Sequence, residues 1–196
     1  MYLFGASGHA KVIMDILKSQ GIEVVALYDE DENITELLGK PVLHHHNFAT
    51  PIIISIGNNN IRKRIAETLN LEWGTAVHLS AIISTYAAIG AGSVIMQGAI
   101  IQSCAAVGKH CIINTGAKVD HDCELKDYVH ISPNSTLCGN VFVGEGTHIG
   151  AGTIVLPGVK IGKWSVIGAG SVVAKDIPDH VLAVGNRCKI IKSIDV

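Results

Sequence analysis

From Ile83 to Val173 every sixth residue is Ile, Val or Leu, sixteen aliphatic residues in sixteen positions. Four places after each comes a second column, from Ala87 to Ser171, that holds only Ala, Ser, Thr, Cys or Val. An α-helix turns about 600° in six residues and would scatter the aliphatic column around its axis. Very short strands joined by tight corners keep it on one side. One large and one small inward residue per six then describe a narrow tube filled by its own side chains. Gly, Asn or Asp often follows the aliphatic residue, as at Gly90, Gly108, Asn114, Asp120, Gly150 and Gly168. These types tolerate left-handed backbone, which is therefore predicted at those positions, where the chain turns a corner.

With three strands per coil, sixteen hexads make about five coils, and the register never slips to admit a long loop. This pattern is the hexapeptide repeat of a left-handed parallel β-helix, predicted over residues 79–178. Cys111 and Cys123 fall in the small column, so interior packing accounts for them better than metal binding does. Residues 1–78 read differently. Short apolar runs at Tyr2–Phe4, Val24–Tyr28 and Ile52–Ile56 alternate with helical spacing over His9–Gln20 and Asn60–Leu71. The apolar faces of the two helices are Val12, Ile13, Ile16 and Leu17, then Ile61, Ile65 and Leu69. Strands alternating with helices predict a small Rossmann-like parallel α/β domain. Residues 179–196 are expected to cap the last coil.

Composition narrows the class. Of 196 residues, 48% are hydrophobic and 16% charged, and mean hydropathy is +0.37, so extended disorder is excluded. Net charge is −2 with no run of Lys or Arg, which argues against a nucleic-acid partner. No apolar stretch approaches the roughly 18 residues of a membrane span. The start, Met1-Tyr2-Leu3-Phe4-Gly5, has neither a basic segment nor a long apolar one, so no secretory signal is expected. Five cysteines without a C-x-x-C pair suit a cytoplasmic chain with reduced thiols.

Candidate chemistry falls in two places. The first predicted strand runs into Gly5-Ala6-Ser7-Gly8-His9 and directly into a helix, where backbone N–H groups and the helix dipole suit a phosphate. The second strand ends at Asp29-Glu30-Asp31 and the third at Gly57-Asn58-Asn59-Asn60. All three lie at the carboxyl edge of the sheet, where such sheets bind ligands. The full G-x-G-x-x-G is lacking, so a nicotinamide cofactor is poorly supported. On the tube, the densest polar cluster runs from Asn114 to His130. His121 stands at a corner among Asp120, Asp122 and Glu124, and a carboxylate on one ring nitrogen fixes the tautomer and raises the basicity of the other. His148 stacks one coil beyond His130. Ten histidines are present, and most histidines on such a surface are solvated or structural. A metal at His121, His130 and His148 is an alternative, but no two have a recognised ligand spacing. His44-His45-His46 reads most simply as a loop.

Taken in order, Gly5-Ala6-Ser7-Gly8-His9, Ile56-Gly57-Asn58-Asn59, Asn114-Thr115 and Asp120-His121-Asp122-Cys123 resemble the sialic acid O-acetyltransferase / UDP-4-amino-sugar N-acetyltransferase family over nearly the whole chain. The resemblance implies a homotrimer, acetyl-CoA between neighbouring β-helices without a metal, and a UDP-linked sugar on the N-terminal domain. It implies His121 as catalytic base, Asp122 as the acid that strengthens it, Asn114 as an active-site amide and His130 at the thioester. It places Gly139, Ala151 and Ala169 against acetyl-CoA, and Ser7, Gly8, His9, Asp29, Glu30 and Gly57 against the nucleotide. The implied reaction is acetylation of the 4-amino group of a nucleotide-linked 4-amino-4,6-dideoxyhexose. Alternatives are O-acetylation of a sialic acid or a non-catalytic nucleotide-sugar scaffold.

Overall fold

The computed structural model describes residues 1–195; Val196, the last residue of the expected capping tail, lies outside them. The N-terminal unit is β1 (Tyr2–Phe4), α1 (Gly8–Ser19), β2 (Ala26–Tyr28), β3 (Glu36–Leu37), β4 (Lys40–Leu43), β5 (Ile52–Ile54) and α2 (Asn59–Thr68). Its sheet order is β3-β4-β2-β1-β5, parallel except for the β3–β4 hairpin, an element the hydrophobic pattern did not announce. The sheet is parallel α/β, with the carboxyl ends of β1, β2 and β5 on one edge.

After β6 (Ala76–Val77), sixteen two-residue strands follow at six-residue intervals, β7 to β22, from Ile82–Ile83 to Val172–Val173. Each from β7 to β19 pairs in parallel with the strand 18 residues on, as Ile100 does with Lys118 and His130 with His148. The tube has three faces. The first runs from β6 through the strands at Val94, Ile112, His130, His148 and Val166, and ends in β23 (Val181–Val184) and β24 (Lys189–Ser193). The second is six-stranded and the third five-stranded. β6 pairs with Val94–Ile95, so solenoid pairing begins at Ala76, slightly ahead of residue 79.

Both inward columns are where the hexad pattern puts them. The aliphatic residues from Ile95 to Val173 are buried, and only Ile83 and Ile89, at the open first coil, are partly covered. The small column joins the coils by hydrogen bonds. Ser93 Oγ donates to the Gly108 carbonyl, Ser135 Oγ to Gly150 and Thr147 Oγ1 to Gly162, at 2.8, 2.8 and 2.6 Å. Cys111 and Cys123 do the same through Sγ, to Lys126 and Cys138 carbonyls at 3.2 Å. Burial pushes the Cys111 thiol up to about 12 and raises that of Cys123, so neither is a nucleophile.

The corner geometry corrects one expectation. Left-handed backbone falls on the third residue after each aliphatic, from Gly92 through Cys104, His110 and Asp122 to Gly170, and not on the first. The glycines that directly follow the aliphatic serve close approach between coils. A Cβ on Gly150 would lie 2.5 Å from the Ala169 nitrogen, and one on Gly144 2.5 Å from that of Lys163. Gly150→Ala is expected to cost about 1–3 kcal/mol in equilibrium unfolding, the usual range for overpacking.

The two units share a core. Ala10, Ile13, Ile16 and Leu17 of α1 are buried and belong to one cluster with Val94, Met96 and Ile112 on the outside of the first face. Along that face the outward residues are Val94, Ile112, His130, His148 and Val166. The column thus changes from aliphatic to imidazole and back to aliphatic. α2 departs from its expected apolar face. Its buried residues are Asn59 and Arg62, while Ile61 is exposed.

Candidate active site

His121 and Asp122 occupy a corner between the second and third faces. Asp122 takes left-handed backbone, φ 58°, and its carboxylate Oδ2 lies 2.8 Å from His121 Nδ1. Asp120 Oδ1 accepts the His121 backbone N–H at 2.8 Å. The hydrogen bond to Asp122, and then the charge of Asp120, raise the His121 pKa above its ordinary value. Both side chains are about 60% exposed (60% and 59%), and no hydrogen bond holds Nε2 among the described residues. Gly139 is buried on the next coil beneath the ring, and a Cβ there would lie 2.5 Å from His121 Cε1. Asp122→Asn is expected to move the ring's titration midpoint, followed by NMR, down toward about 6.5; an unchanged midpoint would remove Asp122 from its role.

Asn114 sits elsewhere, at the corner between the first and second faces, with His130 beside it on the first face. Asn114 Nδ2 lies 3.1 Å from His130 Nε2, and Asn114 Oδ1 accepts the Thr115 N–H at 2.8 Å. Ala151 and Ala169 are exposed on the same corner one and two coils beyond Pro133. The expected site is therefore divided. His121, Asp122 and Gly139 line one edge of the six-stranded face, and Asn114, His130, Ala151 and Ala169 line the other.

The N-terminal residues gather at the sheet edge. Gly5 has φ +107° and is packed so tightly against Ser55 and Ile56 that a Cβ would lie 2.8 Å from Ile56 Cγ1. Asp29 ties this turn to β2, since its Oδ2 accepts the Ala6 N–H at 2.7 Å and its Oδ1 the Asp31 N–H at 3.0 Å. Ser7 begins α1 without a side-chain cap bond, and both Ser7 and Gly8 are exposed, leaving the first helical N–H groups open for an anion. A cleft of about 800 Å³ opens beside them, lined by Gly5, Asp29, Glu30, Phe48, Arg64 and Ile65 among others. His9 and Gly57 lie deeper, toward His130. Burial and then Arg62 lower the His9 pKa to about 4.

Arg62 went unforeseen. Its guanidinium donates Nε to the His110 carbonyl at 2.7 Å, Nη1 to Ile56 and Gly57 carbonyls at 3.1 and 3.2 Å, and Nη2 to Asn59 Oδ1 and the Tyr128 carbonyl at 2.8 and 2.9 Å. Asn59 Nδ2 in turn reaches the Gly146 carbonyl at 2.9 Å. These bonds fasten α2 and the chain after β5 to three successive coils of the tube. Burial lowers the Arg62 pKa to about 10. Among the described residues no group of three His, Cys, Asp or Glu is placed to hold a metal, and no helix is long and apolar enough to cross a membrane.

Comparison with known proteins places this arrangement. Residues 1–69 match the PglD N-terminal domain, and residues 140–175 match the bacterial transferase hexapeptide (six repeats). A point variant of perosamine N-acetyltransferase from Caulobacter crescentus, solved with CoA and GDP-perosamine, is 36% identical. The match covers 98% of this chain and 96% of that one, with a TM-score of 0.93. The chain belongs to the hexapeptide-repeat sugar N-acetyltransferases. Another solved relative, the acetyltransferase domain of PglB from Neisseria gonorrhoeae FA1090 with acetyl coenzyme A, is 33% identical over 97% of this chain and 98% of that one, TM-score 0.91. The UDP-N-acetylbacillosamine N-acetyltransferase of Bacillus subtilis (strain 168) is 43% identical over 107 residues, 48% of this chain. The match spans half of that curated relative, 50%, and 21% of an uncharacterized Acanthamoeba polyphaga mimivirus protein, L142. Within this sugar N-acetyltransferase family, the open helix N-terminus, the cleft and the exposed histidine–carboxylate pair are the parts that chemistry can use.

Proposed function

We propose that the protein transfers the acetyl group of acetyl-CoA to the 4-amino group of a nucleotide-linked 4-amino-4,6-dideoxyhexose. The observation that carries this reading is His121, an exposed imidazole with Asp122 on Nδ1 and Nε2 free to take a proton. The neutral amine attacks the thioester carbonyl, His121 Nε2 takes the amine proton, and collapse of the tetrahedral intermediate expels CoA thiolate. A thioester is already activated, so holding both substrates together is sufficient without an acyl-enzyme. Asn114 donates an N–H to the acyl oxygen, where negative charge develops.

In this reading residues 1–78 hold the nucleotide sugar, 79–178 perform the transfer and 179–196 cap the tube. The phosphates lie at Ser7 and Gly8, and the base in the cleft with Glu30, while His9 and Gly57 flank the sugar. Because the two half-sites lie on opposite edges of one face, the His121 edge of one copy meets the Asn114 edge of the next. Acetyl-CoA lies between them along Gly139, Ala151 and Ala169, and three copies close the ring. The carrier is UDP by family resemblance. The Caulobacter relative was solved with a GDP-linked sugar, so both carriers enter the test. Purified protein with acetyl-CoA and a UDP- or GDP-4-amino-4,6-dideoxyhexose should release free thiol only when the acceptor is added. Release without acceptor would mean thioester hydrolysis and overturn the transfer reading, whereas silence with every amino sugar alongside a thermal-shift response to nucleotide alone would favour the scaffold reading.

A further inference from the structure

Asn114 is oriented by its own backbone neighbour. Because Oδ1 accepts the Thr115 N–H at 2.8 Å, the nitrogen of the carboxamide is the atom that meets His130 Nε2 at 3.1 Å. A carboxamide nitrogen only donates, so Nε2 must accept, and the neutral ring carries its hydrogen on Nδ1. Protonation of His130 would set N–H against N–H and release Asn114. The His130 ring is stacked on His148 of the next coil, centroids 4.6 Å apart and planes 14° from parallel. His148 Nε2 is held by Ser132 Oγ at 2.7 Å. His130 Nδ1 is shut from solvent without a hydrogen-bond partner.

We propose that His148 is a positioning residue: stacked on His130 and tethered by Ser132, it keeps His130 a neutral acceptor, so that Asn114 retains its other N–H for the acyl oxygen. The groups facing His130 are His148 on its own face, His9 from α1, Arg62 from α2, Asn114 at the corner and the Gly57 backbone after β5. Charged or chargeable groups in this set are all basic, so a proton arriving on His130 meets repulsion. Only the Gly57 backbone, approaching without closing a hydrogen bond, favours it slightly. Burial first, and His148 second, lower the His130 pKa to about 3, and burial lowers that of His148. His130 therefore stays neutral across the range in which His121 titrates, and the two histidines have opposite duties.

The proposal rests on the acyl-oxygen role given to Asn114, so its test includes a readout independent of turnover. In the full chain labelled at the histidine rings, NMR should show His130 as the neutral Nδ1–H tautomer from about pH 5 to about pH 8. His148→Phe keeps the stack without a charge but gives up the bond to Ser132, so it should leave that tautomer unchanged and lower kcat about threefold, as loss of the tether alone does. His148→Glu sets a carboxylate against the ring. It should protonate His130 in that window and make the fall in kcat from about pH 8 to about pH 6 roughly tenfold deeper than the wild-type fall that follows His121, with KM for the nucleotide sugar unmoved. Ser132→Ala, a smaller change, should lower kcat about threefold, with recovery in Ser132→Thr. A His130 hydrogen on Nε2 in the wild type overturns the proposal. So does a His148→Glu enzyme that folds and keeps the wild-type pH profile, or a His148→Phe enzyme that carries the His130 hydrogen on Nε2. If the wild type shows no acceptor-dependent thiol release, the acetyltransferase reading fails, while the tautomer measurement still decides the His130–His148 arrangement.

Discussion

His121→Ala is expected to lower kcat by about 10²–10⁴ while leaving acetyl-CoA affinity close to wild type. The ring stands at a corner of the tube, about 60% exposed, so its removal opens no cavity and unfolds nothing. In the proposed mechanism what is lost is the acceptor for the amine proton, whose basicity Asp122 and Asp120 raise. The underlying coil is rigid, with hydrogen bonds to both neighbours: Asp122 N–H donates to the Ser103 carbonyl at 3.1 Å and Asn140 N–H to the His121 carbonyl at 2.9 Å. Stopped-flow or steady-state thiol release with saturating acceptor measures kcat, and a CoA thermal shift measures binding. Full turnover in His121→Ala would transfer the base role to another group. Equal loss of kcat and CoA affinity would mean that the ring holds the coenzyme.

Arg62→Met is expected to destabilise the fold by about 3–5 kcal/mol, because its buried acceptors lose their cation together. For a chain of this size that is a fall in Tm of roughly 6–20 °C. Five partners converge on a side chain only 1% exposed. Methionine fills similar volume but donates nothing. The bonds run from α2 to the carbonyls of His110 and Tyr128 on the tube and to those of Ile56 and Gly57 at the carboxyl edge of the sheet, where the nucleotide is proposed to bind. The variant should therefore also raise KM for the nucleotide sugar more than KM for acetyl-CoA. Equilibrium urea unfolding checks the first expectation and paired KM values check the second. A Tm within about 2 °C of wild type would show that α2 is held by packing instead.

Much of this was legible in the residues alone. The hexad columns specify three faces, parallel pairing at 18 residues and an interior of aliphatics and small residues. A period-six pattern keeps its large and small residues inside a tube of three short faces, and local sterics decide it within each coil. His121 was legible because the Asp120-His121-Asp122 run needs no long-range contact to form its hydrogen bond. The left-handed positions were misplaced by two residues, since a glycine needed for close approach between coils and one needed for positive φ look alike in a sequence.

The inward burial of α2 was not legible. Ile61, Ile65 and Leu69 have the spacing of a buried stripe, yet Asn59 and Arg62 go inward and Ile61 and Ile65 line the cleft. Apolar spacing records which residues can be buried, not which surface is offered to them. Here the tube presents backbone carbonyls at its corners, and only a multiple donor satisfies them. The division of the site between two edges of one face was equally invisible, because Asn114 and His121 are seven residues apart in the chain but belong to different corners. The sequence by itself determined the tube, its contents and the chemistry of one corner. The tertiary structure decided which histidines are buried and neutral, which arginine joins the units and which edge each group occupies. These depend on where the α/β unit rests on the first face, a contact between segments up to about 90 residues apart that no local pattern encodes.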